Sequence, residues 1–195
     1  MDLLQQAAQA WPALTAYEYH IVCAKRKTLH ALYLRFAPDE FYHVAGFPHL
    51  NDIVLPIRFS QTRAMDKVLQ GAAEESHIDK SQNYLTAVRP QLLAIIQLKT
   101  VLDRSFSTYT FDPNKVPAYT KINASYLITG GDPDVVFLFT DRKNGSKEIF
   151  SRSIFLRDRK DYRQNQTKLT LLLTERKNLR TQEYIVLYRH KNYEM

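Results

Sequence analysis

Cysteine is all but missing: the chain of 195 residues holds one, Cys23. A single thiol can neither close an internal disulfide nor build a paired-cysteine metal motif, so a disulfide scaffold is excluded and a reducing, cytoplasmic setting is expected. Glycine is scarce as well, at five residues. None stands in a Gly-rich loop of the kind that cradles phosphate before a helix, so nucleotide chemistry of the P-loop or dinucleotide-binding type is not expected. No apolar run reaches the roughly 18 residues of a membrane span, and the start Met1-Asp2-Leu3-Leu4-Gln5-Gln6 lacks the basic region of a secretory signal. A membrane partner is therefore not expected. The six histidines, at 20, 30, 43, 49, 77 and 190, show no two-histidine helical zinc spacing, and there is no Gly-x-Ser-x-Gly elbow. Neither a metal nor an organic cofactor is expected.

Acidic residues are short in one region only. Residues 1–139 hold 13 basic and 13 acidic side chains, whereas residues 140–195 hold 14 and 7, so the last 56 residues carry the whole net charge of +7. A polyanionic partner, with nucleic acid first, follows from that surplus. The plainer reading is a solvated sheet face that uses Lys and Arg for solubility and edge protection.

Hydrophobic periodicity divides the chain near residue 105. Asp2 is a candidate N-cap for a first helix over 2–10 that ends near Pro12. The alternation in Tyr17–Ala24 and Thr28–Phe36, joined by Lys25-Arg26-Lys27, predicts a hairpin. Pro38-Asp39-Glu40 opens a helical turn that Gly46 closes, Ser60 and Gly71 bracket another, and a helical region spans about 75–104. Beyond it, strands are expected at 106–111, 121–129, 135–141, 147–157, 168–176 and 183–190, with Asn144-Gly145 as a hairpin turn. The expectation is an α+β single domain over 1–195: a helix-rich part over about 1–105, including the hairpin, packed on a C-terminal antiparallel meander of about five strands over 106–195.

The side chains that remain suit phosphodiester cleavage without a metal. Such cleavage needs a base for the attacking hydroxyl, an acid for the leaving oxygen and cations for the charge that develops on phosphorus. Histidine is the side chain that ordinarily titrates near neutrality, and His43 and His49 are the candidates; taken alone, His43 in an apolar helical turn reads first as a core or capping residue and His49 after Pro48 as an exposed loop residue. Arg152 is unusual because strict alternation puts it on one face with Phe150, Ile154 and Leu156, and a cation on an apolar face must reach a partner or line a cleft. Arg157, Tyr162, Gln166 and Lys168 supply further polar contacts on the basic strands.

The segment Phe41-Tyr42-His43-Val44-Ala45-Gly46-Phe47-Pro48-His49-Leu50 resembles the Phe-Tyr-His-Leu-x-Gly-Leu-His-Lys-Leu motif of the fourth class of phage-barnase-EndoU-colicin-RelE-like nucleases. Three more stretches resemble that family in the same order: Ile78–Tyr84, Lys121–Ile128, and Phe155-Leu156 with Asp161–Gln166. The resemblance implies a barnase/RelE-like fold and a metal-independent ribonuclease of phage or mobile-element origin, toxin-like in character. By the resemblance His43 becomes a site residue; His49 and Arg152, reached from the residues themselves, stand beside it as catalytic candidates. Tyr162 and Gln166 become substrate contacts, joined by Arg157 and Lys168 in nucleic-acid binding. The chain departs from the motif at Pro48-His49, where the family more often has His-Lys, so His49 stands in the place of lysine. RNA is the expected partner. An acidic immunity or antitoxin protein is a second expected partner, and a non-catalytic nucleic-acid-binding or protein-interaction module on the same scaffold is the alternative function.

Overall fold

The computed structural model describes residues 1–55, 61–117, 119–133, 135–143, 146–157 and 160–193. The first helix, α1 (Leu3–Thr15), is capped by Asp2, whose carboxylate accepts the Gln5 N–H at 2.8 Å. It runs through Pro12 rather than stopping there, because burial of Trp11 and Leu14 holds its last turn against the core. The expected hairpin forms from β1 (Tyr17–Lys25) and β2 (Thr28–Arg35), paired antiparallel from Glu18↔Arg35 to Lys25↔Thr28. Short helical pieces follow: a 3₁₀ turn at Pro38–Glu40, α2 (Phe41–Val44), a 3₁₀ turn at Phe47–His49, α3 (Ala64–Leu69) and α4 (Glu75–Ile78). A π-helical turn over Tyr84–Val88 then leads directly into α5 (Arg89–Asp103). The combined Tyr84–Asp103 segment is long and apolar enough to cross a membrane by length and composition alone. Here that apolarity is spent on the interior of the protein, where Leu92, Ala94, Ile95, Leu98, Val101 and Leu102 are buried.

The strands do not form the expected meander of about five on a helical layer. Together with the hairpin, β3 (Ser107–Thr110), β4 (Tyr126–Gly130), β5 (Val136–Arg142), β6 (Glu148–Leu156), β7 (Thr167–Asn178) and β8 (Tyr184–Arg189) build one eight-stranded sheet in the order β1-β2-β6-β5-β4-β3-β7-β8. An additional β1–β7 pairing closes seven of them into a barrel. The barrel is mixed, because β2 meets β6 in parallel through Tyr33↔Glu148 and Leu34↔Ile149. The α+β, barnase/RelE-like expectation is thus corrected to a closed mixed β-barrel with few helices. The physical reason lies in β7. Its first residues pair with β3 and the rest with β1, from Tyr17↔Asn178 to Ala24↔Thr170, so the amino-terminal hairpin becomes part of the same sheet.

Side chains from β1, β2, β4, β5, β6 and β7 meet in one cluster with α1 and α5; in a closed sheet only the inner face permits that. Trp11 is its fully buried anchor. Its ring stands edge-on to Phe36 at 5.4 Å, and its Nε1–H donates to the Ala37 carbonyl at 3.1 Å. Outside the wall a second, aromatic cluster forms from Phe111, Phe137, Phe139, Phe155 and Tyr162. The expected strand over 121–129 shortens to β4, which leaves residues 121–125 as a loop. The expected cap at Ser60 and the turn at Asn144-Gly145 lie outside the described residues.

Candidate active site

His43 reaches the surface because its neighbours do not. Phe41, Val44, Ala45 and Phe47 are buried, and Tyr42 stacks on Phe47 with ring centroids 5.3 Å apart. The helical turn therefore presents His43, which is exposed, on the outward side. Gly46 then takes φ +86°, a left-handed conformation that ends the turn and sends the chain into the Phe47–His49 3₁₀ turn. Two hydrogen bonds seat this unit on β6. Ser151 Oγ donates to Glu40 Oε2 at 2.8 Å, and His43 Nε2 lies 3.2 Å from the Arg152 carbonyl. A carbonyl oxygen can only accept, so Nε2 carries the proton and Nδ1 is the free, basic nitrogen of the neutral ring.

Arg152 owes its placement to a β-bulge. Phe139 pairs with Ser153 and Thr140 pairs with Ser151, which leaves Arg152 as the extra residue of β6. Alternation fails at that point. Ser151 and Ile154 are both buried, while Arg152 is turned outward with its side chain 49% exposed. This corrects the shared face with Ile154 expected from strict alternation; Phe150 does stay beside it, its ring 4.8 Å from the guanidinium. Asp141 holds the guanidinium at 3.1 Å and is itself bonded by Ser125 Oγ at 2.5 Å. Burial pushes the Asp141 carboxyl up. The hydrogen bonds from Ser125, Arg152 and the Arg142 N–H, with the charge of Arg152, outweigh it and hold the group below the ordinary carboxylate value.

His49 is braced from the central helical region. Asn83 Nδ2 donates to the His49 carbonyl at 3.0 Å, while Ser81 Oγ and the Gln82 N–H donate to Asp52 at 2.6 and 2.8 Å. Partial desolvation, and secondly the charge His43 can carry, lower the pKa of His49 from its ordinary 6.5. The ring stays largely in contact with solvent, so the lean toward the neutral form is modest.

These pieces meet around a cavity of about 360 Å³ lined by His43, His49, Gln91, Lys121, Ile122, Asn123, Arg152 and Ser153. The structure thus gathers the three catalytic candidates, from segments more than a hundred residues apart in sequence. It adds Gln91, Lys121 and Asn123, which the sequence reading missed. Two signals point to them: Gln91 is the polar member of an otherwise apolar helical stripe, and Lys121 and Asn123 open the Lys121–Ile128 motif. Among the described residues that line it there is no carboxylate, so the cavity presents N–H donors and cations to an incoming group. Among the described residues no group of three or more His, Cys, Asp or Glu side chains is placed to hold a metal ion.

The other four candidates lie elsewhere. Tyr162 is buried between Phe137, Phe139 and Phe155, at 5.3–5.6 Å between ring centroids. Gln166 accepts the Asp112 N–H at 2.9 Å and donates to the Asp112 carbonyl at 3.0 Å, pinning the loop after β3. Arg157 faces Asp161 at 3.6 Å, a carboxylate that Arg163 already holds through two nitrogens. Lys168 lines a separate groove of about 480 Å³ with Arg104, Phe106, Tyr188 and His190. A cavity of about 740 Å³ beside it, bounded by Thr129–Asp132 and Arg163, is larger but holds no histidine. Chemical content, not size, singles out the smaller one.

Fold and site together define a closed-barrel protein with a cavity of paired histidines and cations beside β6. A family model described as phage-Barnase-EndoU-ColicinE5/D-RelE like nuclease 4 matches residues 3–191. The chain belongs to that family, whose description is that of a nuclease. No curated protein and no solved structure matches the chain.

Proposed function

We propose that the protein is a metal-independent endoribonuclease that cleaves RNA by attack of the 2′-hydroxyl on the adjacent phosphorus. The observation that carries this reading is the meeting of His43, His49, Lys121 and Arg152 around one cavity, with no carboxylate among its described lining residues. Neutral His49 takes the proton of the 2′-hydroxyl as O2′ bonds to phosphorus. Protonated His43, its Nε2–H held by the Arg152 carbonyl, gives its Nδ1 proton to the departing O5′. The products are a 2′,3′-cyclic phosphate and a free 5′-hydroxyl, with one proton moved from each side. Arg152 and Lys121 supply positive charge to the phosphorane oxygens.

Mixed tRNA and mRNA incubated in EDTA test this. Expected are fragments with 2′,3′-cyclic phosphate ends, and rate losses of about 10²–10⁴-fold in His43→Ala and His49→Ala, with a loss in Arg152→Ala also. RNA left intact, or a His43→Ala variant as fast as wild type, would sink the reading. RNA bound without cleavage in a salt-sensitive gel shift would favour a binding module instead.

A further inference from the structure

We propose that Gln91 is a phosphate-oxygen donor of this cavity; the assignment rests on the phosphodiester reading above. Gln91 sits on the inward stripe of α5, three residues before Ala94, four before Ile95 and seven before Leu98, and is only 7% exposed. An amide in that stripe costs stability unless something satisfies it. Its Oε1 is buried and has no hydrogen-bond partner among the described residues.

The neighbouring turn fixes which end of the amide faces the cavity. A Cβ placed on Gly46 would stand 2.4 Å from Gln91 Oε1 and 3.2 Å from Val88 Cα. The missing side chain of Gly46 is therefore the slot that receives the oxygen, and the Nε2 amide is left at the cavity wall beside His43, His49, Lys121, Asn123 and Arg152. An N–H there is open to an incoming acceptor, and the described lining residues offer it no carboxylate. A phosphate oxygen is such an acceptor.

Gln91 differs from the two cations in what it can contribute. Arg152 and Lys121 are exposed and bring charge on flexible stems. Gln91 is neutral, buried and held by packing, the properties of a preorganised donor that strengthens its bond as charge develops without reorganising. It is expected to act on kcat more than on KM.

The test uses Gln91→Met, which suits an apolar stripe, and Gln91→Asn, which keeps the amide but withdraws it by one methylene. Thermal unfolding of Gln91→Met should occur at or above the wild-type temperature. Its kcat for RNA cleavage in EDTA should fall about hundredfold with KM nearly unchanged, and kcat of Gln91→Asn should fall too. A wild type that cleaves while Gln91→Met keeps its kcat, or changes only in KM, overturns the assignment and leaves the nuclease reading standing. A wild type that cleaves no RNA overturns both.

Discussion

At Gly46 two constraints fall on one residue: a φ of +86° and a space already occupied by Gln91 Oε1. Gly71 has the first without the second, with φ +73° and no heavy atom within 4 Å of a built Cβ. Gly71→Ala should therefore cost only the left-handed strain, about 1 kcal/mol. Gly46→Ala should cost more, about 2–3 kcal/mol in urea unfolding, and should also lower kcat, by about hundredfold, through displacement of Gln91. Equal losses for the two variants would show that the Gln91 contact does not matter. His49 gives a pH prediction at the same scale. Its folded pKa lies below the ordinary 6.5, so the unfolded chain takes up the proton first as pH falls. Its contribution to stability is present above pH 6.5 and is lost as pH falls from there through the folded value. Urea midpoints of wild type and His49→Ala across that window should converge on the alkaline side and separate on the acidic side, with wild type falling further. Cleavage that depends on His49 as a base should rise over the same window.

Among the elements, α5 is tied to the barrel by more than apolar packing. Asp103 at its end accepts from Tyr19 Oη at 2.8 Å and from Lys99 and Arg176, joining α5 to β1 and β7 where the barrel closes. Burial pushes this carboxyl up, but the three donors and the Lys99 charge bring it below its ordinary value. That stability is present above the ordinary value of 3.8 and is lost as pH falls through the folded one. Asp103→Asn should therefore be less stable than wild type at neutral pH, with the gap narrowing in acid. α1 makes its contribution through Trp11. Trp11→Ala should cost about 3–5 kcal/mol in denaturant unfolding, and a cost within the error of the measurement would mean that α1 docks without it. The bulge in β6 belongs to this scale as well, since one extra residue turns Arg152 outward and leaves its carbonyl for His43.

For the whole molecule, the charge surplus and the cavity turn out to be different places. Of the described basic residues in 140–195, Arg152 is the one that lines the cavity; Lys177, Arg180, Arg189 and Lys191 lie on or beside β7 and β8. Lys121, from the electrically balanced part of the chain, lines the cavity as well. RNA affinity should then follow the few cations of the site. With about three phosphate contacts, the slope of log affinity against log salt should be near −2, and Lys121→Ala should make it shallower by about one contact. A much steeper slope, unchanged by Lys121→Ala, would locate binding on the basic β7–β8 face instead. β8 lies outside the closed ring with Tyr184, Ile185, Val186 and Tyr188 exposed. Its amides should exchange with solvent well before those of β1 and β7.

The sequence by itself determined the local pieces: the Asp2 cap, the first hairpin, the left-handed turn at Gly46 and the approximate span of most strands. These depend on residues close in the chain, whose turn chemistry and periodicity are legible there. The family motif also singled out His43, while His49 was a candidate as a histidine able to titrate near neutrality and Arg152 as a cation on an otherwise apolar strand face. Tertiary structure alone decided that the sheet closes, because β1–β7 and β2–β6 pair residues more than a hundred positions apart and leave no periodic mark. It decided the direction of Arg152, since a bulge is a mismatch between two strands and neither strand's sequence records it. It also separated Tyr162 and Gln166 from the cavity: burial in an aromatic cluster and pairing with Asp112 use the same side-chain chemistry as substrate binding, and only the neighbours tell them apart.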